Sequence, residues 1–354
     1  MILTYTILII LWLSLIAYAV LGGADFGGGI WDFFAFGPQA ERQRRLIGQA
    51  LGPVWEANHV WLIFLIVGLF TAFPSAFSVL STALIVPFTL ALIGIVLRGA
   101  AFIFRAQSDE AGTLGKSVWI RVWGRVFSAA STITPFLFGT AAAAVASGQV
   151  RVQGGRVQTD LLAGWTTPFA LTIGALALTL CAVLAAVNLM IEAQNSNDAE
   201  LVEAFRRRAM IAGAITLVLD AIAFILAPFQ APLLWNGMLD HALPVVIATG
   251  LIGLGAAVSL FLRRYRLARV LAIIVTAFIF VSWGLSQFPY LIPVNVTITN
   301  AASPPATLLA LLIGTIIGMA LLLPSLWLLF HVFKGKHPAL NVQEKEAEPA
   351  STRH

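Results

Sequence analysis

Apolar residues run along this chain in stretches of about twenty, separated by short polar connections. At about 1.5 Å per residue each run predicts a helix that covers roughly 30 Å of hydrocarbon. The runs fall at 3–24, 50–73, 77–98, 122–147, 163–191, 209–229, 241–262, 268–288 and 306–333, which makes nine predicted spans. Three connections are longer: the one around 105–121, the one at 148–163 with its Gly154-Gly155 turn, and 289–305, rich in Pro, Asn, Ser and Thr. Residues 335–354 are polar and charged without apolar periodicity, so a transmembrane domain of 1–334 is expected to end in a polar tail. The fold class is all-α and polytopic, and no soluble segment is large enough for a separate catalytic core.

Composition agrees, since 59% of the 354 residues are hydrophobic and only 10% charged, far too apolar for a water-soluble domain. A net charge of +5 raises the question of nucleic acid, yet the basic residues are dispersed over short loops rather than gathered in one patch. Nineteen of the 21 Lys and Arg lie on one side of the nine-span topology, and only Arg151 and Arg156 lie on the other. The positive-inside rule then predicts an outside N-terminus and a cytoplasmic C-terminus, which accounts for the charge with no nucleic-acid partner. Trp31, Trp119, Trp123 and Trp327 at inner ends, with Trp165 and Trp235 at outer ends, are expected in the interfacial belt. The single cysteine, Cys181, rules out an intrachain disulfide framework and any multi-Cys metal site within this chain, and is expected to pack. Ala17-Tyr18-Ala19 is faintly like a signal-peptidase site, but no basic region precedes it, so span 1 is expected to be retained.

Against this background, acids at hydrocarbon depth call for a reason, because an ionisable group there costs at least a few kcal/mol without a partner, a cavity or water. Asp25 closes span 1 in Gly22-Gly23-Ala24-Asp25-Phe26-Gly27-Gly28-Gly29, a density of small residues that also fits a packing face. Span 2 holds Trp55-Glu56-Ala57-Asn58-His59, with Trp55 expected over Asn58 and His59, and Glu56 and His59 sharing a face at i, i+3. With a helix begun near residue 46, Glu56 is expected about 15 Å along it, in the same half of the membrane as Asp25. Three readings compete: a di-iron Glu-x-x-His site, which lacks its second motif because His241 and His331 have no Glu three residues before them; a structural Glu56–His59 pair; and a proton-handling acid. Arg98 ends span 3 at the same depth and either tunes these acids or snorkels to the interface. Asp220, Asn188 and Glu192 are weaker signals. No metal site is expected.

These residues resemble subunit II of the cytochrome bd-type quinol oxidases, including the cyanide-insensitive variants. The matching stretches are Asp25-Phe26-Gly27, Pro53-Val54-Trp55-Glu56-Ala57-Asn58 with Trp61-Leu62, Phe73-Pro74, Arg98-Gly99-Ala100-Ala101-Phe102, and Phe288-Pro289 through Pro293 to Asn300-Ala301-Ser303. The resemblance implies two four-helix bundles plus a peripheral helix in a bacterial cytoplasmic membrane. It implies a respiratory complex that oxidises quinol and reduces dioxygen to water, with haem b and haem d, or haem b alone, in a partner subunit I. A structural quinone and a small single-helix accessory subunit occur in some relatives. By the same resemblance, this subunit supports assembly of subunit I and a cytoplasmic proton path through Asp25 and Glu56, with Arg98, Trp55, Asn58 and His59 orienting or tuning them. The family commonly has Trp-Asp-Gly-Asn where this chain has Trp55-Glu56-Ala57-Asn58, so the carboxylate stands one methylene farther out. A proton-coupled secondary transporter, or a pure scaffold within the oxidase, are the alternatives; Pro87 and Pro135 interrupt spans as transporters require, but no acid sits beside them.

Overall fold

The first apolar run forms α1, Ile2–Phe33, which continues nine residues past the end of the predicted span. Glycine costs a helix interior up to about 1 kcal/mol per residue, yet the glycine-rich turn stays helical because Gly22, Gly23 and every residue from Asp25 to Asp32 are buried against neighbouring helices. α2, Ala40–Leu51, is amphipathic and turns Gln43, Leu46, Ile47 and Leu51 inward. α3, Trp55–Ala72, lies at 52° to α2, so the expected 50–73 span is a bent pair whose apolar arm starts at residue 55. α4, Pro74–Ala83, and α5, Ile85–Glu110, divide the expected 77–98 span at Leu84, and the crossing segment is Ile85–Phe104. Pro87 therefore does not interrupt a span; it sits in the first turn of α5, where the amide has no helical partner to lose. α6, Lys116–Ala146, does carry Pro135 inside it.

α7, Pro168–Asn195, opens on Thr167, whose hydroxyl accepts from the Ala170 amide. α8, Ala199–Gln230, is followed by the short α9, Pro232–Gly237, a π-helical turn over Met238–Ala242, and α10, Leu243–Phe261. α11, Tyr265–Gln287, and α12, Pro305–Lys334, complete the chain. The computed structural model describes the backbone of residues 1–52, 55–110, 116–153, 156–158, 160–162 and 164–334, and their side chains except those of 55, 105–110, 116–120, 153, 156 and 329–334. The expected tail, 335–354, lies outside the described residues. Among the described residues eight helices are each long and apolar enough to cross a membrane, and the α2–α3 pair makes a ninth.

Met1–Leu312 is one compact unit. Within it α1 packs against α3, α6 and α7, and α5 against α6, while α7 packs on α8 and α11 and α10 on α11. The helices thus fall into two groups of four, α1, α3, α5, α6 and α7, α8, α10, α11, joined where α7 lies along α1 and α6. From Ile313 onward α12 is an apolar helix with exposed Ile316, Ile317, Leu321 and Trp327.

The basic residues predicted to share one side meet at one end of the first unit. Arg42 pairs with Asp198 at 2.5 Å and Glu200 at 2.9 Å. Arg208 Nη2 donates to the Phe34 carbonyl and Gln43 Oε1, and Arg206 Nε to the Leu260 carbonyl. At the other end two small antiparallel hairpins, β1 (Val152–Gln153) with β2 (Arg156–Val157) and β3 (Tyr290–Ile292) with β4 (Val296–Thr297), are tied by Asn295 Nδ2 donating to the Val152 carbonyl. Trp31 departs from the expected aromatic belt. Its ring is buried and its Nε1 donates to the Ala182 carbonyl at 2.8 Å, because α1 continues into the bundle instead of ending at the interface.

Candidate functional site

The glycine-rich turn of α1 allows α6 and α7 to close in around its carboxylates. A Cβ on Gly27 would stand 1.9 Å from the Cys181 carbonyl oxygen in α7, and one on Gly29 would stand 2.1 Å from Ser131 Oγ in α6. Only a residue without a Cβ fits there. Cys181 itself is a buried free thiol in a packing position.

Asp25 emerges from this turn 4% exposed. Asn58 Nδ2 donates to its Oδ2 at 2.5 Å, which fastens the start of α3 to α1. Arg98 of α5 is 2% exposed, with its guanidinium 4.9 Å from the Phe26 ring centre and 5.5 Å from that of Phe127. It interacts electrostatically with Asp25 and Tyr18. A desolvated guanidinium over an aromatic face gains about 2 kcal/mol, and a nearby carboxylate offsets part of the cost of burying both charges. Arg98 therefore turns into the bundle and does not snorkel. The His59 ring lies 5.9 Å from that of Tyr18 and 6.3 Å from that of Phe26. Tyr18, which no motif marks, is 6% exposed, and its hydroxyl has no hydrogen-bond partner among the described residues.

Glu56 stands apart from this cluster. It is exposed in the first turn of α3, where the positive end of the helix dipole favours a carboxylate. Its face continues through Ile63, Val67 and Phe70, at steps of seven, four and three residues, all exposed. The His59 ring is half-buried toward Tyr18 and Phe26, while Glu56 is exposed. The expected stacking of Trp55 concerns a side chain outside the described residues.

A further carboxylate, Asp32, is also 4% exposed. It accepts from Ser128 Oγ at 3.1 Å and faces Arg44 Nε at 3.9 Å. Its one signal in the sequence is a separation of seven from Asp25, two helical turns, which becomes meaningful only once α1 is known to run to Phe33. Asp220 is exposed on α8, and Asn188 and Glu192 are half-buried near the end of α7. Among the described residues no group of three or more His, Cys, Asp and Glu could hold a metal ion. Around Asp25 the donors are one imidazole and a carboxylate already bound by Asn58, beside a guanidinium; that set does not fit haem iron.

Fold and site together define a multi-pass helical membrane protein with a buried ionisable centre between its first helices. The sequence pattern of the cytochrome bd terminal oxidase subunit II family matches residues 3–333, and the chain belongs to that family. A Bacillus subtilis (strain 168) protein described as putative cytochrome bd menaquinol oxidase subunit II is 24% identical over 334 residues, 92% of this chain and 93% of that protein. The cytochrome bd-I ubiquinol oxidase subunit 2 of Escherichia coli (strain K12) is 28% identical over 127 residues, 36% of this chain and 31% of that one. The bd oxidase from Geobacillus thermodenitrificans shares the fold, with a TM-score of 0.74 at 22% identity over 95% of this chain and all of that one. The chain is thus a subunit of a quinol:oxygen oxidoreductase in the bacterial cytoplasmic membrane, in a complex that contains haem. Membership sets aside the transporter reading.

Proposed function

We propose that this subunit carries protons from the cytoplasm toward the oxygen-reducing centre through Asp25 and Glu56, while subunit I holds the haems. The observation that carries the reading is Asp25, a carboxylate kept almost wholly out of solvent by Asn58 within reach of the Arg98 charge. Burial of this kind is costly, and helix packing alone would be served better by an apolar residue. Asn58 holds the carboxylate in one orientation, and Arg98 keeps a compensating positive charge nearby whichever form the acid takes. Glu56 suits a hand-over point. It heads an exposed apolar stripe on α3 that a partner subunit would cover, and the cover would take the carboxylate out of water. The basic end of the bundle faces the cytoplasm in this reading.

The test is turnover of the purified two-subunit complex carrying Asp25→Asn or Glu56→Gln. Each is expected to slow oxygen reduction with the haem spectrum and the KM for quinol unchanged. Wild-type rates for both across about pH 6 to 9 would end the proton reading. Loss of haem from the membrane would instead favour a scaffold role.

A further inference from the structure

Asp25, Gly29 and Asp32 share one face of α1, at steps of four and three residues, so the two buried carboxylates lie about 10.5 Å apart along the helix axis. The matching face of α6 presents Ser128 and Ser131, also three apart. Ser128 Oγ donates to Asp32 Oδ2. Ser131 is 0% exposed, and its Oγ rests where a Cβ of Gly29 would be, between the two acids. That hydroxyl has no hydrogen-bond partner among the described residues. A buried hydroxyl left over in this way is the exception in folded proteins and asks for a reason.

Asp32 itself is poorly placed for stability alone. It stands in the last turn of α1, where the helix dipole disfavours a negative charge by about 0.3–1 kcal/mol. Its ion-pair partner Arg44 is 42% exposed and also donates to the Ala35 carbonyl, so it joins Asp32 to the solvent at the basic end.

From this arrangement we infer that Asp32 is the entry acid of the proton route and that Ser131 relays between it and Asp25. The inference rests on the proton reading of Asp25 above. The Asp32 carboxylate takes a proton from water beside Arg44. Water between Asp32 and Ser131 carries that proton to Ser131 Oγ, which releases its own hydrogen through a second water toward Asp25. One proton moves inward at each cycle, Asp32 and Ser131 return to their starting forms, and the electrons delivered by quinol oxidation balance the charge.

The experiment compares Asp32→Asn, Asp32→Glu, Ser131→Ala and Asp25→Asn in the intact purified complex, reading kcat, the KM for quinol and the haem spectrum. Asp32→Asn is expected to lower kcat about tenfold or more with KM and haem content unchanged, and Asp32→Glu to return it to within about twofold. Ser131→Ala is expected to lower kcat about threefold, since one hydroxyl leaves and no charge changes. Normal kcat in Asp32→Asn alongside a slow Asp25→Asn would overturn the role of Asp32 and leave that of Asp25 standing. Normal kcat in both would remove the proton reading and this inference with it. Should Asp32→Asn fail to assemble, Ser131→Ala decides, and a wild-type rate there overturns the relay.

Discussion

Asn58 of α3 holds Asp25 of α1 through a single amide-to-carboxylate hydrogen bond of 2.5 Å, and both side chains are 4% exposed. A hydrogen bond to a charged group is worth about 1.5–3 kcal/mol, and a buried acceptor deprived of its donor loses that and its solvation. Asn58→Ala is therefore expected to slow turnover and lower the melting temperature of the complex, with the haem spectrum kept. Asn58→Asp, which sets a second carboxylate against the first, should be worse. Oxygen consumption and thermal unfolding of the two variants check the order.

Arg98 is enclosed by Phe26 and Phe127 and faces Asp25 electrostatically. Removing one member of a buried charge pair costs about 3–5 kcal/mol, because the other is stranded. Arg98→Leu is expected to deplete the assembled complex from membranes. Arg98→Lys keeps the charge but loses the flat face that stacks on both rings, so an intermediate amount of haem-bearing complex should be recovered; equal recovery of lysine and leucine variants would contradict the stacking role.

Gly27 and Gly48 make a matched pair. The atom met by a Cβ on Gly27 is a helix carbonyl oxygen that cannot rotate aside, whereas a Cβ on Gly48 meets nothing within 4 Å. Gly27→Ala should push α1 from α7 and lower the melting temperature by several degrees. Gly48→Ala should leave it unchanged or raise it, since alanine favours a helix by about 1 kcal/mol over glycine.

Asp198 links α2 to the start of α8. Burial pushes its carboxyl up, but the hydrogen bonds from Arg42 and the Leu201 amide, with the Arg42 charge, outweigh burial and hold it below the usual carboxylate range. A depressed folded-state value contributes stability above the unfolded value of about 3.9, and that stability is lost as pH falls through the folded value. Asp198→Ala should cost about 1 kcal/mol near neutral pH through the lost helix cap, and the gap from wild type should shrink below about pH 4. Melting temperatures measured against pH test this.

Much of the fold was legible in the residues themselves. Nine apolar runs predict nine crossings because only a helix of about twenty residues satisfies its backbone inside lipid, and the alternation of basic loops predicts the end at which Arg42, Arg206, Arg208 and Arg263 gather. Asp25, Asn58 and Arg98 were likewise marked by polarity at apolar depth. Helix ends were harder. Apolarity fades after residue 24, yet α1 runs to Phe33 because contacts with α6 and α7 bury the glycines, and no local pattern records a contact made with residues more than a hundred positions away.

Residue order alone marks a multi-pass membrane subunit with costly acids near one end, since the length of each apolar run against bilayer thickness and the cost of charge in hydrocarbon depend on residue type. Which acids are enclosed was decided only by tertiary packing. Glu56 and Asp25 look alike along the chain, but one faces outward from the first turn of α3 and the other is sealed beneath Asn58. Asp32 and Ser131 acquire meaning only where α1 and α6 touch, because burial belongs to the space between helices and not to either helix alone.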